Sequence, residues 1–332
     1  MAGRTPGSQG QREPDGDVPT EWHAVREQQA GRVRGQGFIA ALDQSGGSTP
    51  KALREYGITD DQYADSAQMF DLVHQTRARI IQSPSFYGER VLGAILFEQT
   101  MDRQIGGLGT AQYLWDEKGI VPFLKVDRGL ADEVNGAQMM NDIDGLQDLL
   151  ERAIGNGIFG TKMRSVVTSA NQRGISSVLA QQFAYAEAIA AADLVPILEP
   201  EVGIDIPDKP HAEATLLKGL HERLDALPED VTVMLKLTLP SVNDLYRPLL
   251  DHPRVLRVLA PIGRLRASPR VHTAVEESRR HRQLLPRPHP GVVIPAQPRG
   301  VRRSTRHEHH CDLGRLDLNL AYRGAGHLAT ST

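Results

Sequence analysis

Short apolar runs alternate with longer amphipathic stretches between Phe38 and Ala260. The runs are Phe38–Leu42, Val91–Phe97, Val121–Val126, Ile158–Met163, Leu194–Leu198, Val231–Leu237 and Val255–Ala260. Each has the length of a strand and is too short for a buried helix. Between them, Asp60–Ile81, Ile175–Ala192 and Ala212–Ala226 carry apolar residues at helical spacing. In Ser176–Ala192, for example, Val178, Phe183, Ala186 and Ile189 fall near one face. Strand and helix in such repetition predict an α/β fold, a parallel sheet covered by helices. Seven strands leave two readings: a (β/α)8 TIM barrel short of its eighth strand, or an open doubly wound sheet. The loop after the first run separates them. It reads Asp43-Gln44-Ser45-Gly46-Gly47-Ser48, which is not the dinucleotide fingerprint, and Lys51 is misplaced for a P-loop. The barrel is therefore expected, with its chemistry at the C-terminal ends of the strands.

Composition adds a boundary. The chain has 332 residues, 40% hydrophobic and 24% charged, with a net charge of −3. That excludes wholesale disorder and gives no general pull toward nucleic acid. Cys311 is the one cysteine, so no internal disulfide forms, which fits a reducing compartment. No apolar run approaches the roughly 20 residues of a membrane span. Met1–Pro19 is polar and lacks the apolar centre of a signal peptide, so a cytoplasmic protein is expected. Every lysine lies at or before Lys236, and beyond Pro261 arginine, histidine and proline become dense, as in Arg279-Arg280-His281-Arg282. Three parts follow: a polar N-terminal extension at 1–36, the barrel with strands 1–7 at 37–260, and an Arg/His/Pro-rich tail at 261–332. The tail has no apolar period to bury, so a disordered segment is expected there; a basic nucleic-acid arm is the alternative. His307, His309, His310 and Cys311 lie in this tail and lack the spacing of a structural zinc site, so no metal is expected.

Charge recurs at the strand ends, where it is costly. Asp43 ends the first run. Lys125 and Asp127, Lys162 and Arg164, Glu199 and Glu201, and Lys236 end four others. Three of the seven lysines stand in or at the ends of apolar strands. A buried ammonium needs a carboxylate, a ligand or a depressed pKa, so these three lysines, with Asp43, Glu199 and Glu201 on separate strands, predict a site. Alternation places Thr232, Met234 and Lys236 inside the barrel and the wholly apolar Val233, Leu235 and Leu237 toward the helices. A desolvated amine near other cations tends to be neutral, and a neutral amine attacks a carbonyl to form an imine. Glu199 and Glu201, two apart, face the same way and supply acid–base chemistry.

Six stretches in order resemble the class I, Schiff-base fructose-bisphosphate aldolases of bacterial type. They are Gly37–Ser48, Ile95–Asp102, Pro122–Asp127, Gly160–Ser165, Leu194–Val202 and Met234–Thr238. The resemblance runs from about Gly37 to Ala260. It implies Lys236 as the Schiff-base lysine, Glu199 as the acid/base for imine formation, Glu201 as its support, and Asp43 as the group handling the hydroxyl proton in cleavage. It further implies that Lys162 and Arg164 orient the substrate and that Ser45, Ser48 and Lys125 hold one phosphate. It implies a sugar phosphate as substrate, no cofactor and no metal, with no membrane or nucleic-acid partner and a homo-oligomer left open.

The resemblance stops after Ala260, where a Ser-Gly-Gly-Tyr loop and an eighth strand reading Ile-Ala-Ser-Phe-Ser-Arg are expected. Ile262–Arg266 is encodable as ATC GGG CGG CTA CGC, and dropping the first base gives Ser-Gly-Gly-Tyr. His281–His289 is encodable so that the same shift gives Ile-Ala-Ser-Phe-Ser-Arg-Ala-Leu. Two expected motifs in one shifted frame point to a single-base frameshift near Pro261 and an out-of-frame tail. The family expectation is cleavage of fructose 1,6-bisphosphate in glycolysis and gluconeogenesis, with little activity in this chain as written. The rival is a non-catalytic barrel remnant whose basic tail binds nucleic acid or other polyanions.

Overall fold

The structure is a computed structural model that describes residues 20–46 and 48–261. Of the tail expected at 261–332, only Pro261 lies among these residues. The helix α1 (Thr20–Val33) opens the described chain, followed by β1 (Phe38–Leu42), α2 (Ser48–Glu55) and α3 (Ser66–Gln82). Then come β2 (Val91–Leu96), α4 (Glu98–Met101), the two-residue strands β3 (Gln104–Ile105) and β4 (Leu108–Gly109), α5 (Thr110–Asp116) and β5 (Val121–Lys125). After β6 (Ala137–Gln138) and α6 (Leu146–Gly155) the pattern is regular. It runs β7 (Gly160–Val167), α7 (Gln172–Ala191), β8 (Val195–Val202), α8 (Lys209–Asp225), β9 (Val233–Lys236), α9 (Arg247–Leu250) and β10 (Val255–Leu259).

Seven parallel strands lie side by side as β1-β2-β5-β7-β8-β9-β10, and the short β6 pairs antiparallel with β7. The spatial order is the chain order, with no reversal. A doubly wound sheet reverses its order at a switch point; this sheet winds one way, as a barrel does. It is also curled. Lys162 on β7 stands three strands from β1, about 14 Å across a flat sheet, yet its Nζ lies 2.9 Å from Asp43 just beyond β1.

The seven long strands match the seven apolar runs closely. The expected helix at Asp60–Ile81 divides instead: a 3-10 turn covers Asp60–Gln62, and Asp65 caps a new helix by accepting from the backbone N–H of Gln68. Along α7, Ile175, Val178, Leu179, Phe183, Ala186 and Ile189 are buried at helical spacing. With the outward Leu198, Val233, Leu235 and Leu237, all of these but Val178 belong to the layer between sheet and helices.

A second cluster fills the interior: Val33, Ile95, Val121, Phe123, Phe159, Ile197 and Met234. Phe123 and Phe159 meet edge to face at 5.6 Å. Two glycines make room for Phe123. A Cβ on Gly93 or Gly160 would lie 2.8 or 3.2 Å from its ring. The stretch expected as a polar extension contributes the floor. Val33 at the end of α1 is fully buried against this cluster, and Arg26 lies over the Phe159 ring at 5.3 Å and pairs with Asp193. From the far edge of the sheet, Arg257 on β10 donates to the carbonyls of Val33 and Gly35, both at 2.6 Å. It thus ties the last described strand to the entrance of the first. No helix of the described residues is long and apolar enough to cross a membrane.

Candidate active site

The inward rows continue past the apolar cluster into charge. On β5, Phe123 is followed two residues on by Lys125. On β8, Ile197 is followed by Glu199 and Glu201, and on β9 Met234 by Lys236. Period-two alternation carries each row on the same face. On β7, Gly160 pairs with Phe123 and Lys162 with Lys125, so Lys162 and then Arg164 also point inward. Asp43 enters from the loop after β1. These ends line a cavity of about 510 Å³, within the range of small-molecule sites. All nine residues expected from the sequence line it: Asp43, Ser45, Ser48, Lys125, Lys162, Arg164, Glu199, Glu201 and Lys236.

Lys162 is the centre of the arrangement. Its ammonium lies 2.9 Å from Asp43, 3.2 Å from Glu199 and 3.8 Å from Asp127, with only 3% of the residue exposed. Lys236 meets the other oxygen of Glu199 at 2.7 Å. The result is a continuous chain of alternating charge, Asp43–Lys162–Glu199–Lys236. Alongside it, Arg164 pairs with Glu201 at 2.6 Å and Lys125 with Asp127 at 2.7 Å. Of the three ways to satisfy a buried ammonium, carboxylates are the one supplied. Burial by itself would lower Lys162, but Asp43, Glu199 and Asp127 outweigh it and raise it above the usual lysine range. Burial would raise Asp43, yet Lys162, Lys236 and Lys125 draw it down to about 2. Glu199 follows the same logic: burial pushes it up, and Lys162 and Lys236 bring it below the ordinary carboxylate value. Arg164 is raised, because Glu201 outweighs its desolvation.

Asp127 was not singled out from the sequence as a site residue, although it is 4% exposed and bridges Lys125 and Lys162. Its signal was alternation: it stands two residues beyond Lys125, as Glu201 stands beyond Glu199. Thr238 is a second omission. Its hydroxyl accepts from the N–H of Val202 at 3.1 Å and donates to the Val202 carbonyl at 2.9 Å, fastening the end of β9 to that of β8. At the mouth, the Ser48 hydroxyl accepts from the N–H of Ser45 and donates to its carbonyl, closing a turn at the start of α2. Four carboxylates and four cations line the cavity, so it is formally neutral and every cation already has a counter-charge. Such a cavity can exchange protons between buried groups, and it can take an anion only by displacing a carboxylate from a cation. His307, His309, His310 and Cys311 lie outside the described residues.

A model of the family described as "Fructose-bisphosphate aldolase class-I" matches residues 27–219. Among solved structures, the chain is similar to fructose-bisphosphate aldolase from Plasmodium falciparum, solved in complex with TRAP and a small-molecule inhibitor. The identity is 22% and the TM-score 0.47, over 68% of this chain and 66% of that one. The match thus spans just under two thirds of that aldolase's length.

Proposed function

The chain belongs to the class I fructose-bisphosphate aldolases, and from that membership and the cavity's charges we propose cleavage of fructose 1,6-bisphosphate through an imine on Lys236. The observation that carries the reading is the pairing of the Lys236 amine with buried Glu199 at 2.7 Å, next to Lys162 and Asp43. Glu199 is ionised before substrate arrives, so it enters as a base. It takes a proton from the Lys236 ammonium and frees the amine to attack the ketone carbon. It then returns the proton to the hydroxyl of the adduct, which leaves as water. The protonated imine withdraws electrons from the neighbouring carbon–carbon bond. Asp43, also ionised, accepts the proton of the hydroxyl beyond that bond. The bond breaks to release glyceraldehyde 3-phosphate, and its electron pair stays on the lysine-bound three-carbon fragment. Protonation and hydrolysis of that enamine yield dihydroxyacetone phosphate and restore Lys236.

Lys162 bridges the two carboxylates, offsets their mutual repulsion and offers positive charge where oxyanions develop. Ser45, Ser48 and Lys125 receive one phosphate, which must compete with Asp127 for Lys125. On this reading the protein acts on sugar phosphates in the cytoplasm, with no cofactor, metal or nucleic-acid partner. We further propose that the tail beyond Pro261 is out of frame and that the second phosphate loop and the eighth strand are encoded in the shifted frame.

The test is borohydride reduction in the presence of dihydroxyacetone phosphate, on the chain as written and on a frame-restored version. The expected result is a stable adduct on Lys236, absent in Lys236→Ala, with cleavage by the restored Lys236→Ala chain lower on the order of 10⁴-fold. An adduct that persists in Lys236→Ala overturns the assignment.

A further inference from the structure

Arg77 on α3 is only 4% exposed and joins no ion pair among the described residues; the Asp43 charge acts on it from farther off and does not outweigh the burial that lowers it. Burying a guanidinium without a counter-ion in contact is costly, and a methionine would fill the same space without that cost. What the guanidinium does is hold two oxygens. One terminal nitrogen donates to the Gln44 carbonyl at 2.6 Å and the other to the Thr100 hydroxyl at 2.7 Å. Gln44 follows Asp43, and Thr100 lies in α4 just after β2. The planar fork therefore ties the C-terminal ends of two neighbouring strands.

That tie falls where the sheet gives no hold. The β1 ladder ends at Leu42, paired with Leu96, and among the described residues β1 has a neighbour only on its β2 side. Packing does not fix the segment either: a cavity of about 30 Å³ lies between β1, α2 and α3, bordered by Gln44, Thr49, Tyr56 and Arg77. We infer that Arg77 is a positioning residue, which clamps the Gln44 carbonyl and so holds the Asp43 carboxylate against Lys162. The catalytic meaning of that position rests on the aldolase reading above.

The experiment reads the contact itself in the soluble fraction of the full 332-residue chain. Lysines are acetylated with limiting acetic anhydride and quantified by mass spectrometry. Exposed Lys218 serves as the reference and buried Lys118 as the control for packing. In Asp43→Asn, Lys162 loses its closest partner, and its labelling should rise about tenfold, the worth of one charge-assisted bond. Arg77→Met should raise Lys162 labelling to a similar level, Arg77→Lys should raise it less, and the Arg77→Met/Asp43→Asn double variant should add nothing further. Lys118 should not move. Unchanged Lys162 labelling in Arg77→Met, an additive rise in the double variant, or a parallel rise at Lys118 overturns the proposal. If Arg77→Met is insoluble, Thr100→Val removes one of the two acceptors, and an unmoved Lys162 there overturns it equally. Imine trapping on Lys236 judges the aldolase reading separately, since Lys162 labelling requires no turnover.

Discussion

At the floor of the barrel, Phe123, Phe159, Ile197 and Met234 pack with Val33 and one another. Farther along the same strands, Lys125, Lys162, Glu199 and Lys236 pack as ion pairs instead. The strands, their spacing and their alternation are shared by both ends; only the residue type changes. The apolar end draws its stability from water exclusion, which asks nothing of orientation. The charged end recovers its desolvation cost only if each partner is held at a fixed distance. It depends on the apolar end to hold the strands in register, and the dependence does not run the other way.

The largest test of that dependence is closure of the ring. Among the described residues β1 and β10 are edge strands, bridged by Arg257 but not paired with each other. Open edges invite association with other chains, and Asp43 stands next to one of them. On the frameshift reading, the chain as written should be largely insoluble and its cleavage at least about a hundredfold down, because remote phosphate binding helps to drive the reaction. Removing one base near the Pro261 codon should restore both. Soluble yield and fructose 1,6-bisphosphate cleavage, measured side by side, decide it. Equal rates from the two chains would show the tail reading to be wrong.

The next test strikes the floor. Phe123 is fully buried between Gly93 and Gly160. Phe123→Ala leaves a cavity that those glycines cannot fill, and should cost about 3–5 kcal/mol of stability. Urea unfolding of the frame-restored variant measures it. A loss under about 1 kcal/mol would mean that the interior is loosely packed and that the contrast between the two ends is overstated.

Both ends were legible in the sequence to different depths. The seven strands were, because buried parallel strands are short continuous apolar runs. The charged residues were, because a charge at the end of such a run is tolerated only where a partner or a ligand meets it. The floor helix was not. α1 buries Gln29, Val33 and most of Arg26 and half-buries Ala30, and with two of these four polar they imprint no apolar period on the segment. Arg77 was hidden for the opposite reason: on a helix of mixed polarity, a buried arginine and a solvated one have the same spelling. The loop between β5 and α6 folds on long-range pairing, such as β6 with β7, and local pattern carries no trace of that.

Acid should separate the two ends more finely. The folded Asp43 carboxyl sits at about 2, against 3.8 for an ordinary aspartate, and its side chain is 12% exposed. The unfolded chain therefore takes up this proton at higher pH than the folded one. The stabilisation is complete above about pH 4 and fades as pH falls toward 2, at most by about 2 kcal/mol. Asp43→Asn cannot show this loss. Urea midpoints of the frame-restored wild type and Asp43→Asn should converge between about pH 4.5 and 2.5; parallel curves would mean that Lys162 does not hold Asp43 ionised.

The smallest effect belongs to charges that neither end encloses. Lys218 and Glu222 face each other along α8 at 3.8 Å, with side chains 76% and 66% exposed. They have the chemistry of Lys236 and Glu199, at a distance where water and salt take most of the attraction. Holding two long side chains together also costs rotamer freedom, so exposed pairs of this spacing contribute about 0.3–0.5 kcal/mol. Lys218→Ala should therefore shift the urea midpoint of the restored chain by no more than that, and the shift should vanish at about 1 M salt. Lys236→Ala removes the same type of group from a site where its partner Glu199 is 3% exposed. Its stability effect should survive high salt, because ions in bulk do not reach Glu199. If both substitutions respond to salt alike, the cavity is wet enough to screen its own charges, and the ion-pair chain cannot hold its carboxylates ionised in the way the two ends of the barrel imply.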